Sequence, residues 1–123
     1  MWNNNEGFNK TQTGQFFEEL AQRFLHQQGM ETIEKNVNFK VGELDLVMKD
    51  KNYLVFVEVR YRASQQFGGA VTSITPSKQR RLIKAAQLYL QKHFGNRPPP
   101  CRFDVITFEG EKGAPNWIKN ALA

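Results

Sequence analysis

Residues Gly42–Arg62 read GELDLVMKDKNYLVFVEVRYR, with two runs of β-branched, aromatic and other apolar residues on either side of the polar segment KDKN. Such runs predict two strands, Val41–Met48 and Tyr53–Tyr61, joined as a β-hairpin. Asp45 and Glu58 lie inside these runs, where burial of an unpaired charge costs several kcal/mol. We therefore expect both acids to be paired, protonated or bound to a cation.

The register of the hairpin decides where the two acids point. Side chains alternate between faces along a strand, and directly opposed residues of an antiparallel pair share a face. Any turn of even length centred in KDKN, such as Asp50-Lys51, therefore places Asp45 on the face of Glu58 and Arg60, roughly 5–8 Å from Glu58. A slip of one residue would bury charges among apolar residues, so this register is favoured. The apolar face then contains Leu44, Leu46, Met48, Val55, Val57 and Val59.

Two carboxylates at this separation repel each other, and Arg60 compensates their charge only in part. A hard divalent cation resolves the conflict, because Mg²⁺ takes one or two carboxylates and keeps positions open for water and phosphate oxygens. The alternative is an ordinary salt-bridged surface of an antiparallel sheet. Leu54 and Phe56 on the same face indicate that this face is partly covered, which favours the metal site.

The other elements follow from periodicity and capping residues. Apolar residues recur at helical spacing in the first helix, and Glu18 falls at the border of its apolar stripe, so Glu18 can face inward. Thr75 and Pro76 are a cap and a first helical position, and Gly95 ends the second helix. The predicted order is a helix over 13–28, strands over 36–40, 41–48 and 53–61, a mobile surface loop over 64–74, a helix from 76 to 94 and a strand over 101–109. NWIKNALA (116–123) has no assignment.

The length of 123 residues fits one α/β domain over residues 1–123, with 1–12 and 110–123 peripheral. Seventeen basic and twelve acidic residues give a net charge of +5, which favours a polyanionic partner. Cys101 is the only cysteine, which excludes an internal disulfide and a multi-cysteine zinc site. The sequence has no signal peptide and no apolar run of about 18 residues, so we expect a cytoplasmic protein without a membrane span.

Basic residues crowd the start of the second helix: Lys78, Arg80, Arg81 and Lys84. Such a ridge suits phosphate groups, although a solvated helical face has the same pattern. Arg60 and Arg62 would continue the positive surface from the sheet, and Tyr61 between them could stack on an unpaired base. These residues make nucleic acid the expected partner.

A set of motifs in fixed order carries a family resemblance. The motifs are G-x-x-x-E-x-x-A (14–21), GELDL (42–46), FVEVRYR (56–62), FGGA (67–70), T-x-x-K (75–78) and CRFDV (101–105). Together they resemble the YraN-like family of small bacterial proteins, predicted nucleases close to archaeal Holliday junction resolvases. Asp45, Glu58 and Arg60 are similar to the Asp…Glu-x-Lys core of the PD-(D/E)XK nuclease superfamily, and the element order resembles its restriction-endonuclease-like αβββαβ core, a mixed sheet flanked by helices.

The resemblance implies an endonuclease dependent on Mg²⁺, or on Mn²⁺, that hydrolyses phosphodiesters in branched or damaged DNA rather than RNA. It implies that Asp45, Glu58 and the backbone carbonyl of Val59 bind the metal, and that Glu18 leans over it. Arg60 departs from the usual lysine: it stays protonated and cannot act as a general base, but it can hold the scissile phosphate. Because resolvase-like relatives often act as dimers, the resemblance also admits a homodimer.

Two other functions compete with the nuclease. The order α-β-β-β-α is also that of a double-stranded RNA-binding domain, and the basic start of the second helix fits such a module. That function would be non-catalytic and would leave the two acids and the last strand unexplained. The remaining alternative is a protein-interaction module.

Overall fold

The computed structural model describes residues 10–62, 74–110 and 114–122. The elements are α1 (Lys10–Gln27), β1 (Glu31–Phe39), β2 (Gly42–Asp50), β3 (Tyr53–Arg62), α2 (Pro76–Phe94), β4 (Cys101–Glu109) and β5 (Asn116–Ile118). The predicted order of helices and strands is confirmed through β4. β5 falls in the stretch that the sequence pattern left unassigned, so part of the segment predicted as peripheral joins the sheet.

Within these residues the strands form one sheet in the order β1-β2-β3-β4-β5. The β3–β4 pair is parallel, and the other neighbouring pairs are antiparallel. A parallel pair needs a crossover connection, and α2 lies in that connection. The predicted α/β class with a mixed sheet is therefore confirmed, and the arrangement is consistent with a restriction-endonuclease-like core.

The hairpin turn has even length, but it lies one residue later than the example given above. Asp50 pairs with Tyr53, so the turn residues are Lys51 and Asn52, and Lys51 adopts a left-handed φ of 56°. Moving the turn by one residue slides the register by two, and side chains therefore keep their faces. Val47 now opposes Phe56, and Leu46 opposes Val57 as the last pair of this ladder, next to Asp45 and Glu58 in the two strands.

The two helices cover opposite faces of the sheet. On the α1 side, the predicted apolar face packs against the helix. The buried residues there include Ala21 and Leu25 of α1 and Leu46, Met48, Val55 and Val57 of the strands. The α2 side buries a second cluster: Leu54, Phe56, Ala85, Ala86 and Tyr89. The face that carries the acids is therefore covered along part of its length, as Leu54 and Phe56 indicated.

Leu44 departs from the predicted apolar face, because it packs in the α2-side cluster with Val47. Its partner on β1 is Val37, which packs on that side too, whereas Leu46 on the α1 side opposes Lys35. Asn36 lies between these two partners and has a left-handed φ of 54°. The β1–β2 ribbon therefore does not keep regular alternation at this point.

The first strand and the first helix begin earlier than predicted. β1 starts at Glu31 instead of 36, and its outer residues are exposed, so the segment shows little of the apolar alternation that marks a half-buried strand. α1 starts at Lys10 and ends at Gln27. The predicted mobile loop over 64–74 lies outside the described residues except for Ile74, which is buried. No helix in the described segments is long and apolar enough to cross a membrane.

Candidate metal and phosphate site

The site lies where the β2–β3 ladder ends. Leu46 and Val57 are the last paired residues at this end, and beyond them Asp45 Oδ2 accepts a hydrogen bond of 3.0 Å from the Val59 N–H. The Asp45 side chain thus takes the place of a backbone acceptor between the separating strands. Because the N–H and C=O of one strand residue point to the same side, the Val59 carbonyl faces this gap as well.

Glu58 and Asp45 are in contact with each other. Glu58 is only 6% exposed, and its carboxyl group hydrogen-bonds that of Asp45 when one of them carries a proton. Burial raises the pKa of Glu58 well above its ordinary range, and the negative charge of Asp45 raises it further. Burial also raises the pKa of Asp45, although the Val59 N–H opposes that shift. The pair therefore favours a shared proton or a bound cation.

Arg60 supplies one positive charge to this pair. Its Nη2 lies 2.5 Å from Glu58 Oε2, and its side chain is 22% exposed. Arg60 lowers the pKa of Glu58, but burial and the charge of Asp45 outweigh it, so the pKa stays raised. One guanidinium also cannot neutralise two carboxylates. The sequence prediction that Asp45, Glu58 and Arg60 share a face therefore agrees with the structure, and it leaves a deficit of positive charge.

Two further acids surround the pair. Glu18, half-buried on α1, has its pKa raised to about 7 by burial and then by the charges of Asp45 and Glu43. Glu43 lines the same cavity as Asp45, and burial and the Asp45 charge raise its pKa. Glu43 is absent from the residues predicted for the site, although the sequence places it two residues before Asp45 on the same face. Its position in GELDL was the available signal.

An open cavity of about 220 Å³ joins three of these acids, Glu43, Asp45 and Glu58, to a basic wall, whereas Glu18 lies outside the cavity lining. Its lining residues are Gly42, Glu43, Asp45, Glu58, Arg60, Lys78, Arg81 and Leu82. The start of α2 reaches the cavity because β2 and α2 approach closely: a Cβ on Gly42 would lie 3.1 Å from the Arg81 carbonyl oxygen. Glycine is therefore the residue that this contact permits without a shift of the helix.

The residues predicted to bind phosphate differ in their position relative to the cavity. Lys78 and Arg81 line the cavity with Arg60, and the charges of Arg60 and Arg62, with burial, lower the pKa of Lys78. The cations are thus close enough to repel one another, and a phosphate group between them would relieve that repulsion. Arg80 is exposed on α2 and lies outside the cavity lining.

Tyr61 lies on the other face of the sheet. Its ring stacks on Phe17 with centroids 4.2 Å apart and 13° between the planes, and it packs against the α1-side core. Strand alternation explains this position, because Tyr61 must point away from the face of Arg60 and Arg62. The idea that Tyr61 stacks on an unpaired base is therefore wrong for the ring in this conformation.

The donor set fits a hard divalent cation. In residues 10–62, 74–110 and 114–122 no group of three or more His, Cys, Asp or Glu side chains is arranged to hold a metal ion. The donors at the gap are the carboxylates of Asp45 and Glu58 and the carbonyl of Val59, all of them oxygens. Mg²⁺ is commonly held by one or two carboxylates and completes its shell with water or phosphate oxygens. Zinc and copper, which prefer imidazole or thiolate ligands, do not fit this set.

The raised pKa of Glu18 predicts how the stability of the metal-free protein depends on pH. Its folded pKa of about 7 exceeds its ordinary value of 4.5, so the folded protein keeps a proton that the unfolded chain has already lost. This contribution to stability is complete below pH 4.5 and disappears as the pH rises towards 7. Urea denaturation in a chelator at several pH values, on the wild type and on Glu18→Gln, should show a flatter dependence for the variant. Equal dependence in both proteins would contradict the assignment.

Comparisons with known proteins identify the family. The model of a family described as "Uncharacterised protein family UPF0102" matches residues 17–108. A UPF0102 protein of Janthinobacterium sp. (strain Marseille) is 50% identical over 113 residues, covering 92% of this chain and 89% of the relative. One of Pseudomonas syringae pv. syringae (strain B728a) is 51% identical over 116 residues, covering 92% of this chain and 94% of the relative. The chain belongs to the UPF0102 family, which agrees with the predicted YraN-like resemblance.

Proposed function

We propose that this member of the UPF0102 family is a metal-dependent nuclease that hydrolyses phosphodiester bonds in DNA, on a restriction-endonuclease-like core of the PD-(D/E)XK superfamily. The observation that carries the proposal is the contact between Asp45 and Glu58 at the separating ends of β2 and β3. Two contacting carboxylates, one of them buried, destabilise the fold unless a proton or a cation compensates their charge. Such a pair is suited to a divalent cation that also binds phosphate.

Asp45, Glu58 and the Val59 carbonyl would hold Mg²⁺ or Mn²⁺. When bound, the ion would act as a Lewis acid at the phosphate and lower the pKa of a coordinated water. Arg60, Lys78 and Arg81 on the opposite wall would hold the scissile phosphate and stabilise the additional negative charge of the transition state. The net charge of +5 supports a polyanionic substrate.

Glu18 is the candidate proton acceptor. Its pKa of about 7 leaves a large fraction of the carboxylate free near neutral pH while keeping it basic enough to take a proton. Arg60 cannot serve this purpose because a guanidinium stays protonated. The proton acceptor would thus lie on α1, and the residues that hold the phosphate would lie on β3 and α2.

A double-stranded RNA-binding module accounts for fewer of these features. It would leave β4, which pairs in parallel with β3, without a counterpart, and it would need no contact between Asp45 and Glu58. The nuclease explains both the acids and the basic wall that faces them.

The proposal is tested by incubating the protein with end-labelled branched, flapped, single-stranded and duplex DNA and with duplex RNA. The reactions contain Mg²⁺, Mn²⁺ or a chelator. The expected result is metal-dependent cleavage of at least one DNA substrate, with none in the chelator. Binding of Mg²⁺ is measured separately by calorimetry. Absence of both metal binding and cleavage, or tight metal-independent binding of duplex RNA alone, would overturn the proposal.

A further inference from the structure

Two buried polar atoms beside the candidate site have no hydrogen-bond partner in the described part of the chain. They are the Nε of Arg60 and the Oγ1 of Thr107. Thr107 is only 1% exposed, so bulk water does not satisfy its hydroxyl group. Buried polar groups are nearly always paired in native proteins, and each exception needs an explanation.

The two atoms belong to neighbouring residues on the same face of the sheet. Arg60 and Thr107 are register partners in the parallel β3–β4 pair, whose strands lie about 4.8 Å apart. Val105, two residues before Thr107, packs with Ile74 and Leu82 near the start of α2, which is the side of the sheet that carries the cavity. Alternation therefore points Thr107 to the side on which Arg60 lies.

The two groups are chemically complementary. The Arg60 Nε–H can only donate a hydrogen bond, whereas a threonine hydroxyl can accept one. In the structure the guanidinium is committed to Glu58 through Nη2. If Glu58 serves as a metal ligand, the cation shares its negative charge and weakens its attraction for Arg60, and the guanidinium can turn towards a phosphate. In that orientation a hydrogen bond from Nε would hold the guanidinium in place.

We propose that Thr107 is a positioning residue whose Oγ1 accepts the Nε–H of Arg60 when the site is loaded, and thereby aims the two terminal nitrogens at the scissile phosphate. This inference rests on the proposed nuclease function. It also gives a reason for arginine at position 60. A guanidinium can be held through Nε and still bind phosphate in a bidentate manner, whereas the single nitrogen of lysine cannot do both.

Thr107→Val tests the inference, because valine keeps the shape and removes the hydroxyl. Cleavage by the variant under single-turnover conditions is expected to fall roughly tenfold, as for other outer partners of a metal site. Its Mg²⁺ affinity should stay unchanged, and its thermal stability should be equal or higher, because an unpaired buried hydroxyl is removed. Thr107→Ser should restore cleavage.

Thr32→Val is the matched control. Its hydroxyl group is engaged by His26 Nε2 and Gln22 Oε1, each at 2.8 Å, on the far side of the sheet from the cavity. This variant should lose stability and keep full cleavage, the reverse of Thr107→Val. The contrast separates a loss of stability from a loss of positioning.

A double-mutant cycle supplies the decisive readout. If Thr107 acts through Arg60, Thr107→Val should cause no further loss in a protein that already carries Arg60→Lys. The Nε–H resonance of Arg60 in the Mg²⁺-loaded protein should also shift between the wild type and Thr107→Val. Additive losses in the cycle, an unshifted resonance or full cleavage by Thr107→Val would overturn the inference alone. A wild type that neither binds Mg²⁺ nor cleaves DNA would overturn the proposed function, and this inference with it.

Discussion

Replacing Asp45 by asparagine is expected to abolish measurable Mg²⁺ binding and to lower DNA cleavage by more than about 100-fold, since even outer partners of metal ligands contribute 10- to 100-fold. Asparagine keeps the size of the side chain, and its Oδ1 can still accept the Val59 N–H bond that Asp45 accepts at 3.0 Å. The substitution therefore removes charge and leaves the local backbone in place. Calorimetry with Mg²⁺ and single-turnover cleavage of a substrate cut by the wild type measure the two effects.

The same variant should be no less stable than the wild type in the absence of metal. Asp45 raises the pKa of Glu58, so the two carboxylates oppose each other when both are ionised. Removing one charge relieves that repulsion, and thermal unfolding at pH 8 in a chelator should show an equal or higher midpoint. Loss of function with gain of stability is the signature of a residue kept for chemistry.

Asp50→Asn is the matched control for Asp45→Asn. Asp50 lies at the other end of β2, where its Oδ2 pairs with Arg102 Nη2 at 3.0 Å, outside the cavity lining. This variant should bind Mg²⁺ and cleave DNA like the wild type. An Asp45→Asn protein with wild-type Mg²⁺ affinity, or one that loses cleavage only because it unfolds, would contradict the metal-ligand role.

The hairpin shows why part of the site could be predicted from the sequence. Sorting the charged residues from the valines admits only turns of even length, and every such turn keeps Asp45 and Glu58 on one face. The exact turn position was wrong by one residue, yet the consequence for the acids was unaffected because faces repeat every two residues. For these two acids, the face of the sheet can thus be predicted from the sequence more reliably than the residue that opposes each of them.

Other features depend on tertiary contacts that sequence periodicity does not contain. Leu44 changes sides where Asn36 adopts a left-handed φ of 54°. Asparagine tolerates this conformation, but the apolar pattern does not show that residue 36 adopts it. The predicted first strand begins at residue 36 instead of Glu31, because an edge strand with an exposed outer face lacks apolar alternation. β5 pairs over only three residues, and Asp104 accepts hydrogen bonds from Trp117 Nε1 and from the Asn120 N–H.

The buried acids Asp104 and Glu58 differ in how their negative charge is compensated. Asp104 is fully buried, but its carboxylate is surrounded by donors. Glu58 is nearly as buried, yet its contacts are one cation and a second carboxylate. A satisfied buried charge is a structural feature, whereas an under-compensated one is suited to binding a cation. This comparison separates Arg102 and Asp104, which form a structural ion pair, from the proposed metal site.

Asp104→Ala is expected to destabilise the protein by about 3–5 kcal/mol, the cost of removing one partner from a buried ion pair. The carboxylate accepts hydrogen bonds from Arg102 Nε at 3.0 Å, Trp117 Nε1 at 2.9 Å and the Asn120 N–H at 3.0 Å. Alanine would leave these donors without an acceptor and release β5 from β4. Urea denaturation and thermal unfolding measure the effect, which corresponds to a decrease in Tm of roughly 10–20 °C for a chain of this size.

Two further variants, Asp104→Asn and Asp50→Ala, test whether the loss of stability comes from the hydrogen bonds to the Asp104 carboxylate or from any loss of an ion pair with Arg102. Asparagine keeps one acceptor oxygen but turns an amide towards the donors, so an intermediate loss is expected. Asp50 also pairs with Arg102 at 3.0 Å, but its side chain is 25% exposed, and Asp50→Ala should cost no more than about 1 kcal/mol. If Asp50→Ala were as harmful as Asp104→Ala, the stabilisation would reside in Arg102 and its two partners together. The expected ranking assigns it instead to the buried carboxylate, which ties the C-terminal segment to β4 while taking no part in the proposed chemistry at the other end of the sheet.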